Sequence, residues 1–304
     1  MTSEIPTSPR RCANDISRVL RHVLGEERFP VNIEEVAQEI SQQKFPDDPI
    51  SMIRGDSLPG FEGALMPAPP GKSGWGIVYN NDVASRGRIN FTLAHEFGHY
   101  MLHRLKYPKG MQCTTEDMTS WDSEYQQIEH QANQFAATLL MPLDDFRRQI
   151  DDRRRPDFDE LGACADRYDV SLMAAILQWL EFTTSHSQLV VSRSGYILWA
   201  RSSKRALKRG LFYKTRNRPP LEVPSLSLAA QPGSRTDRTG HTKQESDVWL
   251  GTPCSEHVLF SDQYDVTLSL LHFSEGEPKS TFEDELEEDV VDRMKRRMPG
   301  PPWS

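Results

Sequence analysis

Apolar residues recur at helical spacing near the start of the chain, in Ile16, Val19, Leu20, Val23 and Leu24. They recur again after Pro30-Val31-Asn32, in Ile33, Val36, Ala37 and Ile40, so two short helices are predicted. Residues 46–74 are interrupted by Pro and Gly and read as loops around short strands. The turn-bounded run Gly76-Ile77-Val78-Tyr79-Asn80 predicts a strand at an edge of its sheet. Helical spacing returns from Ile89 to Arg104 and from Ile128 to Leu140, where Ala132, Phe135, Ala136, Leu139 and Leu140 share a face and Pro142 stops the run. A last helical pair, Leu161–Tyr168 and Ser171–Phe182, is joined at Asp169-Val170 with Ser171 as N-cap, and closes a first domain at residue 184.

Beyond residue 184 the period changes to that of strands. Leu189-Val190-Val191, Tyr196 to Trp199, Val248-Trp249-Leu250, His257 to Phe260 and Val266 to Leu271 are all short and β-prone, which predicts a mainly β domain over residues 185–279. Between them, residues 224–245 are rich in Ser, Gly, Pro, Arg and Thr and read as a mobile loop. The segment 280–304 places Phe282, Leu286, Val290 and Met294 on one face, with acids early and bases late, and predicts a charged terminal helix and tail. The fold class is therefore α+β, a helical domain with a small sheet followed by a β-rich one.

Composition narrows the function classes. Apolar residues make up 37% and charged residues 26% of 304, without an uninterrupted apolar run of spanning length, so a membrane protein is not expected. The start Met1 to Pro6 lacks the basic and apolar regions of a signal peptide, which makes the cytoplasm the expected compartment. Cys12, Cys113, Cys164 and Cys254 lie far apart, arguing against a disulfide framework or a thiolate zinc cluster. A net charge of -8 disfavours a broad grip on phosphates, so direct nucleic-acid binding is not expected, and the basic runs Arg153 to Arg155 and Lys204 to Arg209 read as solvated surface.

The chemistry concentrates in His95-Glu96-Phe97-Gly98-His99. On a helix, residues four apart lie one turn above each other, so His95 and His99 can direct two imidazoles at one ion, with Glu96 beside them. A carboxylate there can take a proton from metal-bound water and later pass it to a leaving amine, as metal-assisted peptide hydrolysis requires. A hydrolytic zinc site usually has three protein ligands and an open position. The metzincin spacing would need a histidine at 105, where this chain has Leu105. His103 continues the ladder, but about 12 Å of helix axis separates it from His95, so it reads as a supporting or packing residue. Glu129, ahead of the Ala132-Asn133-x-Phe135-Ala136-Ala137 run, is the better third ligand, with Asn133 one turn on. Glu124, Asp117 and His130 are rivals.

At these residues the chain resembles the ImmA/IrrE family of metallopeptidases. The resemblance rests on Arg88 to His103 together with Glu129-His130-Gln131-Ala132-Asn133-Gln134-Phe135-Ala136-Ala137-Thr138-Leu139-Leu140-Met141-Pro142, and extends over about residues 30–182 with a motif core at about 70–145. It implies a zincin-like, thermolysin-like helical core, with Zn2+ held by His95, His99 and Glu129, Glu96 as general base, and His103 and Asn133 in support. His130 departs from the glutamate many members carry there. The stretch Cys113-Thr114-x-x-Asp117-Met118 and Trp121-Asp122 resembles a subgroup, with Cys113 read as a packed or free thiol.

The family cleaves transcriptional repressors inside the cell, so the resemblance implies an endopeptidase with a protein partner, a repressor or antitoxin. The strand at Gly76–Asn80 is the expected edge for an extended substrate. Tyr79, Tyr100, His103 and His130 are all able to donate to an oxyanion, and the sequence does not choose between them. The alternatives are a DNA-binding regulator using Leu161–Phe182 as a helix-turn-helix, and a sensor with a structural zinc site. Met173, Ala174, Ala175, Gln178 and Trp179 offer little to bases or phosphates, which favours packing for that helix pair.

Overall fold

A computed structural model describes residues 8–58, 60–83, 85–114, 123–215, 218–231, 238–262 and 264–276. The chain divides into two compact units, Met1–Thr183 and Thr184–Ser304. The arrangement is α+β, with helices and a small sheet in the first unit and a larger antiparallel sheet in the second.

In the first unit, α1 (Pro9–Leu24) starts with proline where the free N–H groups of a helix end need no partner. Its buried face is Cys12, Ala13, Ile16 and Ser17, whereas Val19 and Val23 are 50% and 70% exposed. The predicted stripe is thus corrected toward the N-terminal half, because small residues there allow α1 to settle against a later helix. The second predicted helix is α2 (Ile33–Lys44), capped by Asn32 and buried through Ile33, Val36, Ala37 and Ile40.

Strands β1 (Ile50–Asp56), β2 (Phe61–Pro67), β3 (Trp75–Asn80) and β4 (Met111–Thr114) form a sheet in the order β1-β3-β2-β4. β1 runs parallel to β3, and the other pairs are antiparallel. The expectation of an edge strand at Gly76–Asn80 is overturned: β3 is paired on one side by Met52 to Asp56 and on the other by Gly63 to Pro67. Its apolar run Trp75 to Ile77 is buried, as suits an inner strand. Among the described residues the open edges belong to β1 and β4.

Helix α3 (Arg86–His103) crosses this sheet and packs on α4 (Ser123–Leu140). Close approach of these two helices depends on Gly98, where an added Cβ would stand 3.0 Å from the Phe135 ring and 3.3 Å from Ala132 backbone. Phe97 and Phe135, both fully buried, meet edge to face at 5.5 Å. Helices α5 (Leu143–Gln149), α6 (Phe158–Tyr168) and α7 (Leu172–Phe182) complete the unit. α6 opens with a capping box between Asp157 and Glu160 and ends at Asp169 in the left-handed region. α7 is capped by Ser171, as predicted. The turn between them is seated on the first turn of α3: a Cβ at Gly87 would lie 2.5 Å from the Val170 carbonyl carbon, and Asn90 Nδ2 donates to Asp169 O at 3.1 Å.

In the second unit, β5 (Ser187–Arg193), β6 (Tyr196–Ser202), β7 (Leu221–Glu222), β8 (Thr239–Gln244), β9 (Cys254–Ser261) and β10 (Val266–Phe273) form an antiparallel sheet in the order β7-β6-β5-β10-β9-β8, with the short helix α8 (Lys204–Lys208) following β6. One face carries a core of Val190, Ile197, Leu211, Trp249, Val258, Leu271 and Phe273.

Two expectations fail in this unit. Val248-Trp249-Leu250 is a turn rather than a strand, because Leu250 and Gly251 both take positive φ, although Trp249 is fully buried in the core. Residues 224–245 are not wholly loop: they contain a 3-10 turn at Leu228–Ala230 and the edge strand β8, while 232–237 lie outside the described residues. The buried Glu256 carboxylate accepts from the backbone N–H groups of Leu228 at 3.1 Å and Ala229 at 3.3 Å and from the side chain of Gln244. Such an anchor, distant in sequence, leaves no mark in local composition. The predicted helix in 280–304 lies outside the described residues.

Candidate metal centre

Helix α3 begins at Ser85, whose side chain accepts from Arg88 N, and runs without a break to His103, so His95 and His99 stand one turn apart. Their Nε2 atoms are 2.9 Å from each other. Glu129, on α4, places Oε2 3.1 Å from His95 Nε2 and Oε1 3.2 Å from His99 Nε2. One donor atom from each residue lies within 4.8 Å of the others, and this is the group among the described residues with such convergence. His99 is fully buried and His95 nearly so, so the three donors meet in a space largely shielded from bulk water.

The orientation of each imidazole follows from its other nitrogen. Asn133 Oδ1 lies 3.0 Å from His95 Nδ1 and accepts a hydrogen bond from it, which turns Nε2 toward Glu129. His99 is set by a longer chain. Gln131 Oε1, an acceptor, lies 2.9 Å from His103 Nε2, and His103 Nδ1 lies 3.0 Å from His99 Nδ1. With Nε2 of neutral His103 carrying its proton, Nδ1 accepts from His99, which turns His99 Nε2 toward Glu129. Three donor atoms are thereby brought together.

Electrostatics agree with this crowding. Burial would lower His95, but the hydrogen bond to Glu129 and the charges of Glu96 and Glu129 raise it above the ordinary histidine range. His99, more dominated by burial, is pushed down to about 4. Burial also lowers His103, which fits the neutral form that the hydrogen-bond chain requires. Burial would raise Glu129, yet the hydrogen bonds from His95 and His99 hold it well below the usual carboxylate range. An ionised carboxylate beside two imidazole nitrogens is the donor set of a divalent cation such as zinc, so these residues fit that metal.

Glu96 follows His95 on the same helix and is fully buried. Its neighbour across the sheet is Gly63 on β2, where a Cβ would stand 2.9 Å from Glu96 Oε1 and 2.7 Å from Thr92 Cγ2. Gly63 is not among the residues singled out by the sequence motifs. The signal was a glycine inside the strand pattern Phe61-Glu62-Gly63-Ala64-Leu65, which marks close approach of another group.

The remaining candidates separate. His130 is exposed and bonds with Gln134 at 2.8 Å, one residue away from Glu129 but on another face of α4. Tyr100 is fully buried, donates to Asp48 O at 2.7 Å, and is pushed up to about 12, first by burial. Tyr79 is raised by burial and by its hydrogen bond with Glu34. His103 is engaged by His99 and Gln131. Each of the four candidates for the oxyanion role thus has another partner. Asp117 and the side chains of Cys113 and Glu124 lie outside the described residues, as does Trp121-Asp122.

Residues 52–179 match the family model described as IrrE N-terminal-like domain, a peptidase family, and this span contains the whole of the cluster. No curated protein matches the chain. Among the described residues, no helix is long and apolar enough to cross a membrane. With a peptidase-family match and a His-His-Glu cluster in one span, the protein is a metal-dependent hydrolase of the peptidase class. The domain formed by residues 52–179 belongs to the ImmA/IrrE family of metallopeptidases.

Proposed function

We propose that the protein is a zinc-dependent endopeptidase that hydrolyses a peptide bond of a regulatory protein, a transcriptional repressor or antitoxin, in the cytoplasm. The observation that carries this reading is the convergence of His95 Nε2, His99 Nε2 and the Glu129 carboxylate beside a buried Glu96 on the same helix. Zinc, when bound, supplies Lewis acidity toward water and the scissile carbonyl.

The chain's own residues do the rest. Asn133 and the His103–Gln131 pair engage Nδ1 of His95 and of His99, so that each Nε2 is the atom offered to the metal. Glu96 accepts the proton of the attacking water and delivers it to the departing amine. Gly63 keeps the sheet clear of the Glu96 carboxylate. Direct recognition of nucleic acid has little support in the helix pair α6–α7, since the turn between the helices is packed on α3 and Ala175, Ile176, Gln178 and Trp179 are buried.

The test is Glu96→Gln, which preserves shape and removes the base. Bound zinc should be unchanged while cleavage of a co-expressed candidate repressor, read by the appearance of its fragments, is lost. Cleavage at the wild-type rate by this variant would overturn the role of Glu96.

A further inference from the structure

The second unit carries a row of three histidines across three adjacent strands, His241 on β8, His257 on β9 and His272 on β10. His241 and His257 are direct cross-strand partners. Their ring centroids are 4.3 Å apart and their planes tilted by 33°. Ser255, on the same face of β9 by the two-residue alternation of a strand, lies between them: its Oγ is 2.7 Å from His241 Nε2 and 3.4 Å from His257 Nε2. Two imidazole nitrogens thus address one small volume, at the outermost strand of the sheet, where His241 is exposed and His257 half-buried.

We propose that His241 and His257 form a second transition-metal site, separate from the cluster on α3 and α4. The ligand chemistry selects the ion. The register neighbours on this face are Thr239, Lys243, Ser255 and Leu259, without a carboxylate, so calcium and magnesium lack the oxygen donors they need. Paired imidazoles suit borderline divalent ions, zinc, nickel or copper. Ser255 marks where the ion sits, since both Nε2 atoms already reach its hydroxyl. His272 backs the pair rather than joining it: its ring lies 5.4 Å from that of His257, and its Nδ1 is 2.9 Å from the buried Ser187 Oγ. An ion held between β8 and β9 would clip the edge strand, which among the described residues pairs on one side only, to the sheet.

The experiment uses the full chain, loaded with zinc, freed of excess by gel filtration and then titrated with further Zn2+ by calorimetry. The expected result is one further zinc per chain, weakened roughly tenfold or more in His241→Ala and in His257→Gln. His241 is exposed, so its replacement leaves the fold intact, which equal melting temperatures in a chelator would verify. Zinc added to the loaded protein should also raise the melting temperature of the wild type and not of either variant. A loaded wild type that takes up no further zinc, or variants that take it up with unchanged affinity, would overturn the proposal. Because the readout is the difference made by His241 and His257, failure of the cluster at His95, His99 and Glu129 to bind metal would show separately, as zinc missing from the loaded protein.

Discussion

His99 Nδ1 lies 3.0 Å from His103 Nδ1, and this one contact determines which nitrogen of His99 faces Glu129. Because His103 is itself oriented by Gln131 at 2.9 Å, the tautomer of His99 is fixed from α4, the helix that also supplies Glu129. Two helices therefore set not only the positions of the donor atoms but their protonation.

Gln131→Leu should consequently loosen the metal centre without touching a ligand. Loss of the acceptor frees His103 to turn, and zinc affinity, measured by competition with a chelator, should fall about tenfold or more. Affinity equal to the wild type would mean that His103 is held by packing alone.

Glu129→Ala removes the carboxylate that His95 and His99 share. Zinc retained after dialysis should drop from stoichiometric to near none, with peptidase activity lost in parallel. The measurement is metal content per chain.

Gly63→Ala tests the clearance beside Glu96. The new Cβ would stand 2.7 Å from Thr92 and 2.9 Å from the Glu96 carboxylate, closer than atoms pack, so the Thr92 and Glu96 side chains or the backbone that carries them must shift. A stability loss of about 1–3 kcal/mol is expected from overpacking, read by denaturant titration. Activity should fall further than stability accounts for, by about a hundredfold, since small displacements of a catalytic group are costly.

Asp145 gives a pH dependence with a definite sign. Burial would raise it, but hydrogen bonds from Arg167, Tyr168 and Arg148 prevail and hold it at about 2, below the ordinary 3.8. A depressed carboxylate contributes stability that is fully present above its unfolded value and is lost as pH falls through its folded value. This fully buried group should therefore contribute about 2 kcal/mol that disappears between pH of about 4 and 2. Unfolding followed across that window should show the loss in the wild type and a flatter profile in Asp145→Asn.

Much of the first unit was legible because its helices carry their own instructions. Asn32, Ser85, Asp157 and Ser171 cap the helices they precede, and Ala132 to Leu140 bury the face that their spacing marks. His95, Glu96 and His99 were readable for the same reason, since four-residue spacing is a property of one helix. The strand at Gly76–Asn80 was readable as a strand but not as an inner one, because its partner β1 pairs with it in parallel across the sequence of β2. Likewise the order of residues 228–230 and 239–244 depends on Glu256, which is remote in the chain.

The sequence by itself determined local periodicity, helix ends and the two-histidine ligand pair, because each depends on neighbours within a turn or two of chain. The meeting of Glu129 with His95 and His99, the tautomers set by Asn133 and by His103 with Gln131, and the clearance at Gly63 were decided only by tertiary structure. They depend on the separation of α3 from α4 and from β2, and that separation comes from the packing of side chains such as Phe97 on Phe135, with Gly98 leaving room for the approach.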